Sequence, residues 1–142
     1  MGEQTNDREA VIARYADGPN QLESAIAGLS AGELDAAESD DVWTIRQIVH
    51  HVVDGDDIWK AFVKQAAGNP GSKFDLQWYW EIPQDEWVQS WAYASRAIEP
   101  SLALFRANRE HIVQLLEHTP ETWEHSLLVR WPHGEEQNVR VA

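Results

Sequence analysis

The chain contains no cysteine. That absence removes disulfide scaffolds, thiolate-bound zinc and cysteine nucleophiles from consideration. Basic residues are scarce: 11 Lys and Arg stand against 24 Asp and Glu in 142 residues, a formal net charge of −13. Phosphate backbones and anionic lipid surfaces repel such a chain, and no clustered basic stripe offsets the deficit. Neither a nucleic-acid nor a membrane partner is expected, and the acid excess itself reads as solubility or adaptation to salt. Long apolar runs are missing too, with none near the roughly 20 residues that span a bilayer. The amino terminus from Met1 to Glu9 is polar and acidic, unlike a secretory signal, so a cytoplasmic location is the expectation. Neither a Ser-His-Asp arrangement, nor a phosphate-cradling glycine loop, nor His-Glu-x-x-His is evident.

What is present is helical periodicity. A length of 142 residues suits one domain, positions 1–142, with a real core. Val11, Ile12, Tyr15, Leu22 and Ile26 share one side of a first helix, near Asp7 to Gly28. Pro19 predicts a kink there or a division into two short helices. The polar stretch from Ser30 to Asp41 reads as a loop anchored by Leu34. A second helix, Thr44 to Ala67, stops at Gly68-Asn69-Pro70-Gly71. The segment Lys73 to Pro83 holds aromatics without a period and reads as an ordered loop. A third helix runs from about Gln84 to His118, with a bend or break just before Pro100. Ser126 to Trp131 and Asn138 to Val141 have strand-like composition around the turn Pro132-His133-Gly134, which predicts a small hairpin. Four of the 8 tryptophans, Trp78, Trp80, Trp87 and Trp91, fall close together, and either fill the core or wall an aromatic pocket.

The second helix carries the candidate chemistry. Ile45, Ile48, Val49, Val52, Trp59, Phe62 and Val63 recur at helical spacing. His51 falls on the border of that stripe and His50 points almost straight away, so His51 alone is expected to look inward. Gly55, four residues on, leaves open space on the same face. An imidazole above a gap suits a metal ligand or a buried acid/base, although a lone histidine near an apolar face also serves as a satisfied core residue. His50 and Asp54, at i and i+4, suit a surface ion pair; an orienting role for Asp54 behind a ligand histidine is the alternative. His111 and His118 are separated by a rise of about 10 Å, too far to share one metal. His118 suits a partner for the helix dipole, and His125 and His133 are expected at the surface of the hairpin.

The run Trp43-Thr44-Ile45-Arg46-Gln47-Ile48-Val49-His50-His51-Val52-Val53-Asp54 closely resembles the start of the second helix in DinB-like proteins, especially their YfiT branch. Members are described as metal-dependent hydrolases, and some as S-transferases using bacillithiol or a similar small thiol. The resemblance implies an all-α, up-and-down four-helix bundle holding a divalent metal, nickel or zinc, on three histidines. The cation lowers the pKa of a bound water or thiol to make a nucleophile. The ligand eight residues after the tryptophan corresponds here to His51. The family's other two ligands form His-x-x-x-His on a fourth helix, a pattern that this sequence does not contain. The fourth helix is therefore expected to be missing, and the domain C-terminally incomplete relative to the family.

Two readings follow. In the first, this is a metal-dependent enzyme domain acting on a small molecule, a hydrolase or small-thiol S-transferase, with the absent ligands supplied by a longer polypeptide or a partner. In the second, it is a non-catalytic helical module that dimerises without a complete metal site. A homodimer is the default in both, because relatives commonly dimerise and because a bundle short of a helix exposes an apolar face.

Overall fold

Three long helices form where the sequence supplies an apolar stripe and a stop: α1 (Gly2–Ile26), α3 (Ile45–Gly68) and α6 (Ile98–His118). The computed structural model describes residues 2–142, with side chains from position 7 onward. Met1 and the side chains of residues 2–6, which bear on the reading of a signal-free amino terminus, lie outside the described residues. Helix α6 packs against both α3 and α1. No described helix is long and apolar enough to cross a membrane.

Helix α1 continues through Pro19, which is buried within it, so the division into two short helices does not occur. Its neighbour Gly18 makes room for Arg109 of α6: a Cβ on Gly18 would approach Arg109 Nη1 to 3.0 Å. Arg109 ties the three helices together. Its Nε donates to Asp56 Oδ1 on α3 at 2.8 Å and its Nη1 donates to the Tyr15 carbonyl on α1 at 2.6 Å. The guanidinium also lies 3.9 Å from the centre of the Tyr15 ring, where the aromatic face attracts it. Burial pushes the Tyr15 phenol up to about 12, the Asp56 charge adds to the rise and Arg109 opposes it. Burial likewise raises the Asp56 carboxyl above its ordinary range against the pull of Arg109, and Asp56 Oδ2 is buried without a partner among the described residues.

The stretch after α1 is more ordered than a loop. A short helix α2 (Ala31–Leu34) forms inside it, because Ser30 and Glu33 make a reciprocal capping box. Leu34 is buried, as expected of the anchor. Helix α3 begins on the same device. Thr44 Oγ1 accepts from the Gln47 amide at 3.2 Å, and Gln47 Oε1 accepts from the Thr44 amide at 2.8 Å. Beyond α3 the chain turns at Gly71, whose φ of +82° suits glycine.

The segment read as an aromatic loop contains β1 (Lys73–Asp75) and α4 (Gln77–Trp80). The single third helix divides into α5 (Gln84–Ser90) and α6, separated by a turn through Ala92. The break precedes Pro100, which occupies the first turn of α6, where its missing amide hydrogen leaves no helical bond unmade. Past α6 and a 3-10 helix at Pro120–Glu124, the expected hairpin forms from β2 (Ser126–Arg130) and β3 (Glu136–Arg140). Strand β1 adds to β2 in parallel, with Phe74 opposite Val129, giving a three-stranded sheet in the order β1-β2-β3. Phe62, Phe74, Leu127 and Val129 form the core beneath it, at the C-terminal end of α3.

Candidate functional site around the second long helix

The two adjacent histidines of α3 are not equivalent, but the expected orientation of His50 is reversed. His50 is fully buried rather than turned outward. The buried face of α3 swings around the helix along its length. Near the amino end it includes Val49, His50 and Val53, and near the carboxyl end Phe62 and Ala66, so one stripe drawn through both halves misplaces His50. Both ring nitrogens of His50 are engaged, Nε2 with the Arg96 carbonyl at 2.9 Å and Nδ1 with Ser101 Oγ at 2.7 Å. A carbonyl only accepts, so Nε2 carries the hydrogen and Nδ1 accepts from the Ser101 hydroxyl. Burial holds the His50 pKa below its ordinary value, although the bond to the Arg96 carbonyl works the other way.

His51 is half-buried. Its ring meets that of Trp43 edge-on, with centroids 5.0 Å apart. No side-chain hydrogen bond among the described residues involves that ring, although the backbone of His51 is part of α3. The open space expected at Gly55 is present: a Cβ there would touch nothing within 4 Å. Along the neighbouring face Ile48, Val52 and Trp59 are 45%, 41% and 40% exposed, an apolar stripe interrupted only by Gly55.

Asp54 does not pair with His50. It faces Arg96, whose Nη1 lies 3.1 Å from its Oδ2, and burial together with the Asp54 charge raises the Tyr93 phenol well above its ordinary value. Arg96, Ser101 and Tyr93 thus hold this end of α3, though nothing in their own spacing marks them: they lie some 40 to 50 positions along the chain. Ala92, at φ 53°, adopts the left-handed conformation disfavoured by its Cβ, in the turn that sets Trp91, Tyr93 and Arg96.

The aromatic segment serves both alternatives. Tyr79 stacks on Trp87 and Trp91, at centroid distances of 5.4 and 6.0 Å, and packs into the core. Trp78 and Trp91 line an open cleft of about 440 Å³ together with Asp54, Asp57, Ile58 and Leu76. The remaining histidines stand apart. His111 and His133 are exposed, His118 Nδ1 meets the Gln114 carbonyl in the last turn of α6, and His125 Nδ1, half-buried, meets the Ala66 carbonyl. Among the described residues no three His, Asp or Glu side chains converge to hold a metal. Taken alone, these residues do not fit a three-histidine metal site.

A helical bundle with this motif at the head of its second long helix defines a known class of protein. The DinB superfamily profile matches residues 14–142, and the chain belongs to that superfamily. The chain is similar to a protein from Geobacillus thermodenitrificans described as a "putative metal-dependent hydrolase", with 31% identity over 110 residues. That match covers 78% of this chain and 59% of the relative, so the chain spans less than two thirds of the relative's length. Among solved structures it resembles YfiT from Bacillus subtilis, described as "a probable metal-dependent hydrolase with an unusual four-helix bundle topology". The TM-score is 0.75 at 19% identity, covering 92% of this chain and 71% of YfiT, which establishes a shared fold.

Proposed function

We propose that this chain belongs to a metal-dependent enzyme, a hydrolase or an S-transferase using bacillithiol or a similar thiol, to which His51 contributes one metal ligand. The observation that carries the proposal is the contrast between the two histidines. His50 has both ring nitrogens committed within the fold, whereas neither nitrogen of His51 is used among the described residues and open space lies at Gly55. The descriptions of the two relatives support a metal in general, with nickel or zinc the expected ions. The described residues supply one donor of this kind, so the others are proposed to come from protein outside them, either more of the polypeptide or a partner. The cleft lined by Trp78 and Trp91 is the proposed place for the small-molecule substrate. A cytoplasmic location goes with this reading, supported by the acidic, cysteine-free composition.

The test is elemental analysis of the native polypeptide at its full natural length, purified under metal-replete conditions. Wild type is expected to carry stoichiometric nickel or zinc, and His51→Ala to lose most of it. Metal-free wild type, or His51→Ala with full occupancy, contradicts the proposal.

The exposed stripe of Ile48, Val52 and Trp59 favours a second reading, in which α3 dimerises and no metal is held. The two readings separate on the same analysis: a dimer that never carries metal supports the second.

A further inference from the structure

The cleft of about 440 Å³ beside α3 falls in the usual size range of small-molecule sites, and its chemistry is lopsided. Trp78 and Trp91 line it; Ile58 and Leu76 add apolar surface; among the described residues the charged side chains that line it are Asp54 and Asp57. Each carboxylate is partly committed. Arg96 meets Asp54 at Oδ2. Lys60 and Asn108 both engage Asp57 at Oδ1, at 2.7 and 3.1 Å, which leaves Oδ2 as an acceptor without a protein partner among the described residues. Neither Lys60 nor Arg96 lines the cleft itself.

We infer that this cleft binds an organic amine: a protonated nitrogen directed at Asp57, joined to a flat apolar body packed on the lining residues Trp78 and Trp91. Indole faces attract cations as well as apolar groups, so the indoles and the carboxylates favour the same guest. An anion of equal size meets the two lining carboxylates and a chain of net charge −13. A neutral guest gains the stacking and nothing from Asp57. The inference takes from the proposed function only that a small molecule enters this cleft, and it involves no metal.

Three probes of one shape separate the contributions: phenethylamine, 2-phenylethanol and phenylacetate. Binding is followed on metal-stripped full-length protein by calorimetry and ligand-observed NMR, so the outcome is independent of His51 and of metal content. Phenethylamine is expected to bind saturably, about tenfold tighter than the alcohol, with phenylacetate weakest. Asp57→Asn is expected to bring amine and alcohol to within about twofold of each other. Trp78 is 54% exposed, so Trp78→Ala is expected to fold and tests the aromatic lining even if the Asp57 variant fails to fold. It is expected to weaken the amine about fivefold. Equal binding of the three probes, no saturable binding of the amine, or an unchanged amine preference in folded Asp57→Asn overturns the inference.

Discussion

His50 is the residue whose environment most constrains its chemistry. It sits buried and neutral, donating to a carbonyl and accepting from a buried hydroxyl. Protonation would put a second donor on Nδ1 and force the Ser101 hydroxyl to turn. Because the folded-state pKa is lowered, the unfolded chain takes up the proton first as pH falls. The stability that neutral His50 contributes is therefore present above the ordinary histidine value near 6.5 and is lost as pH drops through that value and the folded one. Urea unfolding at pH 7.5 and pH 5.5 is expected to show lower wild-type stability at the acidic value, with a smaller difference in His50→Gln. An equal acid loss in the variant contradicts this assignment. Asp56 acts with the opposite sign. Its raised carboxyl contributes most below the ordinary carboxylate range and loses that contribution as pH rises through the folded value, so it cannot mimic the His50 effect. The error over His50 is instructive: a 3.6-residue period identifies a helix, but a helix with different neighbours at its two ends buries different faces along its length.

The start of α3 was legible because its apolar period begins just past Trp43-Thr44. Thr44 followed by Gln47 opens α3, and that helix begins within one residue of where the sequence puts it. The same pattern at Ser30 and Glu33 builds α2 in a stretch whose polarity otherwise reads as loop. Replacing Thr44 with Ala removes the side-chain acceptor for the Gln47 amide and is expected to cost about 1 kcal/mol. Chemical denaturation of Thr44→Ala against wild type checks this, and a change within experimental error argues that tertiary contacts alone hold the helix start. The hairpin β2–β3 was likewise visible in two runs of strand-forming residues around a turn. Strand β1 was not, since three residues carry no period and pair with β2 across more than fifty positions of chain. The split between α5 and α6 was half visible. Pro100 signals a break, but the turn through Ala92 depends on contacts made by Tyr93 and Arg96 with α3.

For the molecule as a whole, the bundle and its membership of the DinB superfamily rest on more than one motif, since the match extends from residue 14 to residue 142. The candidate site was legible only as a residue type at a spacing: His51 eight positions after Trp43. The partners of the neighbouring His50, Ser101 and the Arg96 carbonyl, come from a distant part of the chain and could not be read from the sequence. The exposed stripe of Ile48, Val52 and Trp59 is apolar surface beside His51, and a homodimer is the proposed way of covering it. Light scattering is expected to give a dimer for wild type and a shift toward monomer for Ile48→Asp paired with Trp59→Lys. A wild-type monomer, or a dimer indifferent to both changes, removes the stripe from the interface.

The central claim is that the two neighbouring imidazoles have different employments, one holding the fold together and the other left for a metal. Ring-15N NMR of histidine-labelled full-length protein during a zinc titration tests it most directly. His51 ring signals are predicted to change and saturate at one equivalent, while those of His50 stay in place. Saturation at His50 with His51 unmoved, or no change at either ring up to a clear excess of zinc, contradicts the account.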